Sequence, residues 1–333
     1  MRRDSLALAV SLLLGFTCIL AGQEPVEGAK KQNQIKEKEV KDKKVELPTW
    51  RRYLEASMRD YTLDDPADPE GKFMLTERPV FIHAEPLQGE ERGLVYLWKD
   101  KDGRPVAAIT GILMRFSEGD SAWRELHEYH SLWDASVRMY DKGRKVWQPS
   151  GAGLTWEKFS VDSKEVAKTE RLRKLQLKKV ARRFKARMNY SDRGEWSLRL
   201  IDKPIYDYTY QNENKQSVSG GVFAFCRSTD PEVLLLIESR PKKDGEIEWF
   251  WAAACFSAHS SFLSLDEKEV WTIDQPRFSA SYKHSSRDKN FNFNFEDVLN
   301  KIEREAEAKD EGNPQAEDKA KEAAKPQDEV KAK

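Results

Sequence analysis

Cysteine is scarce in this sequence, with Cys18, Cys226 and Cys255 the three in a chain of 333 residues. Their spacing fits neither a zinc-binding pattern nor a close redox pair, which excludes both thiol chemistries. Surplus charge is missing as well: 57 Lys and Arg balance 57 Asp and Glu, so the formal net charge is zero. A global pull toward nucleic acid is thereby excluded, since such a partner would need a local basic patch. Phosphate-cradling glycine loops are absent; "SGAG" at 150–153 is a lone turn and not a Walker or dinucleotide fingerprint. The nucleophile elbow G-x-S-x-G is absent too, and neither "SVSGG" at 217–221 nor "SAHSS" at 257–261 replaces it. No cofactor and no metal site is expected from these patterns.

What is present begins with charge. Charged residues make up 34% of the chain and mean hydropathy is −0.77, low for a chain that is globular throughout. Part of the length is therefore solvated leader and tail. Residues 23–48 hold many Lys and Glu and almost no large apolar side chains, so they are expected to be a disordered leader. Residues 277–333 read as a disordered charged tail, low-complexity Ala, Lys and Glu with Pro314 and Pro326.

Residues 1–22 read as a signal peptide. Arg2 and Arg3 form a basic start, Leu6 to Leu20 an apolar core, and Ala21-Gly22 the small residues at a cleavage site. The apolar stretch is short against the roughly 20 residues of a membrane span. Cys18 has a poor lipobox before it in Gly15-Phe16-Thr17, so an exported, periplasmic or extracellular protein is expected. Cys226 and Cys255 fall on strands two apart in a meander, roughly 10 Å from each other at about 4.8 Å per strand. Two buried thiols are expected rather than a bridge, which needs Cα atoms within about 7 Å.

Between the tails, residues 93–110, "GLVYLWKDKDGRPVAAIT", find a counterpart at 220–237, "GGVFAFCRSTDPEVLLLI". Val95 meets Val222, Tyr96 meets Phe223, Trp98 meets Phe225, and both turns carry Asp with Gly or Pro. Pro79 and Pro204, Trp123 and Trp249, and Trp147 and Trp271 extend the match. Each half opens with a helical segment, 50–61 and 170–190, the second with a stripe of Leu177, Val180, Ala181, Phe184 and Met188. The expected fold class is α+β: a tandem duplication of a helix plus about five antiparallel strands, over 49–160 and 161–276, with a cystatin-like or NTF2-like layout by analogy.

"WFWAAACF" at 249–256 is apolar on both faces and should be covered on both sides, by its helix and by the other half's sheet. Its counterpart "WRELHEYH" at 123–130 is polar, with Glu125, His127 and Tyr129 on one face. That contrast marks Tyr96, Trp98, Glu125, His127 and Tyr129 as the candidate ligand-binding residues. His127 and His130 point to opposite faces of a strand and form no H-E-x-x-H pair, which argues against a shared metal. Glu125 and His127 have the geometry of an acid–base pair, with no nucleophile beside them. The basic segment Arg171 to Arg187 would offer a helix for peripheral contact with an anionic surface, or else a solvated helix face.

At "GGVFAFCRSTDPEVLLLIESR", "KEVW" and "HEYHSL" the chain resembles an uncharacterised family of exported proteins in planctomycete-type bacteria. The resemblance spans roughly Pro48 to Pro276 and implies export and a bacterial origin; it brings no activity and no catalytic residue with it. The expected function is a non-enzymatic extracytoplasmic binding or scaffold module whose partner is an extracytoplasmic ligand or an envelope component, not nucleic acid. The alternative is a hydrolase of cell-surface polymers using Glu125 and His127.

Overall fold

The computed structural model describes residues 48–85, 90–115, 123–159, 161, 166–167, 169–190, 194–242, 244–274 and 282–286. The stretch read as a signal peptide, nearly all of the expected leader and most of the expected charged tail lie outside them.

Helix α1 (Thr49–Arg59) starts after Pro48, whose fixed φ suits a helix entry. Tyr53, Leu54, Ser57 and Met58 share its buried face. Eight strands follow: β1 (Tyr61–Asp65), β2 (Asp68–Leu75), β3 (Phe81–Glu85), β4 (Glu90–Lys99), β5 (Pro105–Arg115), β6 (Arg124–Ser131), β7 (Arg138–Asp141) and β8 (Arg144–Trp147). After β9 (Glu157–Phe159) comes helix α2 (Glu170–Ala181), capped by the Thr169 hydroxyl on the Leu172 N–H. The rest is β10 (Phe184–Asn189), β11 (Glu195–Leu200), β12 (Tyr206–Gln211), β13 (Ser217–Arg227), β14 (Asp230–Pro241), β15 (Ile247–Cys255), β16 (Ser260–Leu265), β17 (Lys268–Ile273) and β18 (Tyr282–Ser286).

These elements overturn the expected α+β class of repeated helix-plus-sheet units. The described residues are 58% strand and 11% helix, and they form two curled antiparallel half-barrel sheets, so the protein is mostly β. The physical reason lies in segments too short to show a period. "RMYD" and "RKVW", four residues each, pair as β7 and β8 and extend the sheet past β1. The helical stripe was also overdrawn. Phe184 and Met188 belong to β10, where Phe184, Ala186 and Met188 are buried and alternate with Lys185 and Arg187.

The first sheet runs β18-β6-β5-β4-β2-β1-β7-β8 with β3 on β4, and the second runs β9-β15-β14-β13-β11-β10-β16-β17 with β12 on β13. One outer strand of each sheet comes from elsewhere in the chain: β9 completes the second sheet at β15, and β18 completes the first at β6. Residues 282–286 are thus strand, in a stretch whose composition suggests only solvated tail.

Three cores result. Leu94, Tyr96, Trp98 and Ile109 pack with Leu54 and Met58 of α1. Phe223, Phe225, Leu235 and Trp249 pack with Leu177 and Val180 of α2. Between the sheets, Val95, Leu97 and Ala108 meet Val222, Ala224, Leu234, Ala252, Ala254 and Phe256. The central strands are therefore buried on both faces, and each fully buried large apolar side chain contributes about 1.5–3 kcal/mol. Polar links cross the same boundary. Arg104, paired with Asp134 of its own half at 2.7 Å, approaches Glu238 at 3.8 Å, and the Tyr206 hydroxyl donates to the Gly103 carbonyl at 2.9 Å. Cys226 and Cys255 are free, buried thiols on strands separated by β14.

Candidate functional site

The five sequence-predicted residues do converge on one face of the first sheet, because β4 and β6 each present alternate side chains to it. That face is not open. Exposure is 0% for Tyr96, 1% for Trp98, 1% for Glu125, 0% for His127 and 1% for Tyr129. Helix α1 lies over them, so they line a packed interior and no ligand wall. The polarity of "WRELHEYH" is met by polar groups from the facing elements.

Those groups form one chain of hydrogen bonds. The Tyr53 hydroxyl donates to Glu125 Oε2 at 2.6 Å, and the Ser57 hydroxyl donates to Oε1. His127 Nε2 donates to the same Oε1 at 2.8 Å, while its Nδ1 takes the Tyr61 hydroxyl at 2.5 Å. This tautomer satisfies every partner. Burial pushes the Glu125 carboxyl up, but the His127, Ser57 and Tyr53 donors outweigh it and hold the group down at about 2. Burial also pushes the Tyr96 hydroxyl up to about 12. The network can hold a charge and fix a rotamer, with both carboxylate oxygens and both ring nitrogens engaged.

A second polar cluster sits where the two sheets meet. Atoms of His83 on β3, Glu91 on β4 and Asp230 at the start of β14 all lie within 4.8 Å of one another. His83 Nδ1 is 3.4 Å from Asp230 Oδ1, and its Nε2 is 3.3 Å from Thr110 Oγ1 on β5. The Nε2 end of the ring covers Gly93, its cross-strand partner, where an added Cβ would stand 2.1 Å from Nε2. Only glycine leaves room for that ring. Next to it, Thr229 takes the Ala84 N–H at 3.0 Å and donates to the Ala84 carbonyl, tying β3 to the turn between β13 and β14. Burial holds His83 down at about 3. Burial raises Asp230 far above the carboxylate range, Glu232, Glu91 and Glu128 raise it further, and Arg227 opposes them.

No family model, curated protein or solved structure matches this chain.

Sequence reasoning missed the second cluster because its members are contributed by separate strands of both sheets, with no local spacing to join them. The legible trace was Gly93 inside a strand, a sign of close approach by a neighbour. The predicted basic helix over 171–187 also changes character, since α2 ends at Ala181. Arg183 pairs with Asp266 at 2.5 Å, Lys185 with Glu267 at 2.5 Å, Arg182 with Asp202 at 3.2 Å, and Arg187 with Glu195 and, at 2.6 Å, Glu269. These cations face acidic partners of the same chain. Among the described residues no helix is long and apolar enough to cross a membrane. Two surface hollows, of 410 and 640 Å³, are lined in part by Phe184 and Leu198 and by Trp147 and Pro149; neither is lined by the clusters above.

Proposed function

We propose that the chain is an exported, non-enzymatic binding or scaffold module, the scaffold role being the better supported. The observation that carries this reading is the sealing of Glu125 and His127, the acid–base pair an enzyme would need, beneath α1 with every polar atom already bonded. Export rests on the basic start, apolar core and small residues of the first 22 positions. An extracytoplasmic ligand or envelope component is the partner that location implies.

The test uses the full chain, screened against glycan, ester and peptide substrates beside Glu125→Gln. No turnover is expected, and Glu125→Gln should lose about 3 kcal/mol of stability because it leaves a buried network with a missing charge. Turnover that Glu125→Gln abolishes, with melting unchanged, overturns the reading. For export, mass spectrometry of cell fractions should find a chain starting just after Ala21 or Gly22 outside the cytoplasm; an uncut cytoplasmic chain refutes that part.

A further inference from the structure

We propose that His83, Glu91 and Asp230 form a binding site for one divalent transition-metal ion of the zinc class, which fastens the two sheets together. This inference is independent of where the protein is located and of whether it binds a ligand.

The donor set suits such an ion: an imidazole and two carboxylates, all held on strands. His83 is the decisive member. It is 2% exposed, and its Nδ1 has no hydrogen-bond partner although it points at Asp230. With Nε2–H directed at Thr110 Oγ1, the lone pair of Nδ1 faces the lone pairs of Asp230 Oδ1. A cation between two such atoms would relieve their repulsion. A proton shared by them would draw nitrogen and oxygen together to about 2.7–2.9 Å. The observed 3.4 Å is too long for that bond. It matches the separation of about 3.4 Å between two ligands that each stand about 2.1 Å from a tetrahedral centre. Glu91 offers a third donor within 4.8 Å of the other two, which would close in on a bound ion and leave a fourth position for water.

The surroundings favour a cation too. Asp230 lies in the field of Glu232, Glu91 and Glu128, opposed by Arg227, and Arg227 already pairs with Glu232 at 3.4 Å. Buried charge of one sign is stable only when paired or bound to metal. Thr110 completes the arrangement as the outer partner that orients a ligating histidine. Because His83 and Glu91 belong to the first sheet and Asp230 to the second, the ion would join them directly.

The experiment uses the full-length, tag-free protein, stripped with chelator and titrated with Zn²⁺ by calorimetry, with metal content counted by mass spectrometry. One zinc per chain is expected, with a melting temperature raised by about 3 °C or more. His83→Gln and Asp230→Asn should each weaken zinc binding about 100-fold, since even outer partners of a ligand cost 10–100-fold. Asp230→Asn is isosteric with the protonated acid, so it keeps the fold of the apo chain and carries the test if His83→Gln does not fold. Absence of bound zinc, zinc affinity unchanged in Asp230→Asn, or binding of Ca²⁺ in place of Zn²⁺ each overturns the proposal.

Discussion

His130 shows how a single side chain can set the acid limit of this protein. Its Nδ1 lies 2.6 Å from the Ser131 carbonyl, and the ring is buried beside the inter-sheet core. Burial lowers its pKa to about 4, with the Ser131 carbonyl acting in the opposite sense. In the unfolded chain the ring takes a proton near 6.5, while in the folded chain it stays neutral down to about 4. Between those values the unfolded state binds more protons, so stability is full above about 6.5 and falls as pH drops toward 4. The loss should reach about 3 kcal/mol at pH 4. Urea unfolding at pH 7 and pH 4.5, compared between the natural chain and His130→Gln, measures it. A pH dependence as steep in His130→Gln as in the natural chain would assign the loss to other groups. Glu125 acts lower on the same scale. Its folded pKa of about 2 stabilises the protein above its ordinary 4.5, and that contribution disappears as pH falls from there toward 2.

At the scale of elements, the edge strands carry the sharpest expectation. β18 pairs with β6 through Tyr282 opposite His130 to Ser286 opposite Leu126. A chain ending at residue 276 loses that cover and leaves a row of β6 amides and carbonyls without partners. Faster amide exchange confined mainly to β6, with concentration-dependent light scattering, should follow. Unchanged exchange at β6 would mean that β18 contributes nothing to closing the sheet. The same strand shows where sequence reading ran out. "WFWAAACF" and "GGVFAFC" declare doubly covered strands because every second residue is apolar on both faces, and the structure places Trp249 and Trp251 toward α2 with Ala252 and Phe256 toward the first sheet. "YKHSS" declares nothing, since its pairing is made by backbone. The α2 region misleads for a different reason. Leu177, Val180, Ala181, Phe184 and Met188 satisfy a helical period, while Phe184, Ala186 and Met188 satisfy a strand period equally well, and only pairing with β11 and β16 decides. The face of Glu125, His127 and Tyr129 was legible by alternation. Its lid was not, because α1 adds Tyr53 and Ser57 from far upstream.

In the whole molecule the two sheets stand back to back, each with a helix on its outer side, and the shared core between them holds Cys226. Neither thiol can react without opening that body. Cys255 is 0% exposed and pushed up to about 12 by burial, and burial drives Cys226 up as well. Labelling by a thiol reagent at pH 8 should therefore be negligible in buffer and should appear for both cysteines together at the urea midpoint of global unfolding. Modification of one thiol well below that midpoint would reveal a separately opening half.

The crossed edge strands bear on how the protein comes into being. A ribosome releases the chain from its first residue onward, and the first sheet is nearly complete once residue 147 has emerged. Its outer rim nevertheless waits for residues 282–286, the last of the described strands to be made. Throughout that interval a growing polypeptide carries an unfinished border, open to pairing with another chain until that ribbon arrives.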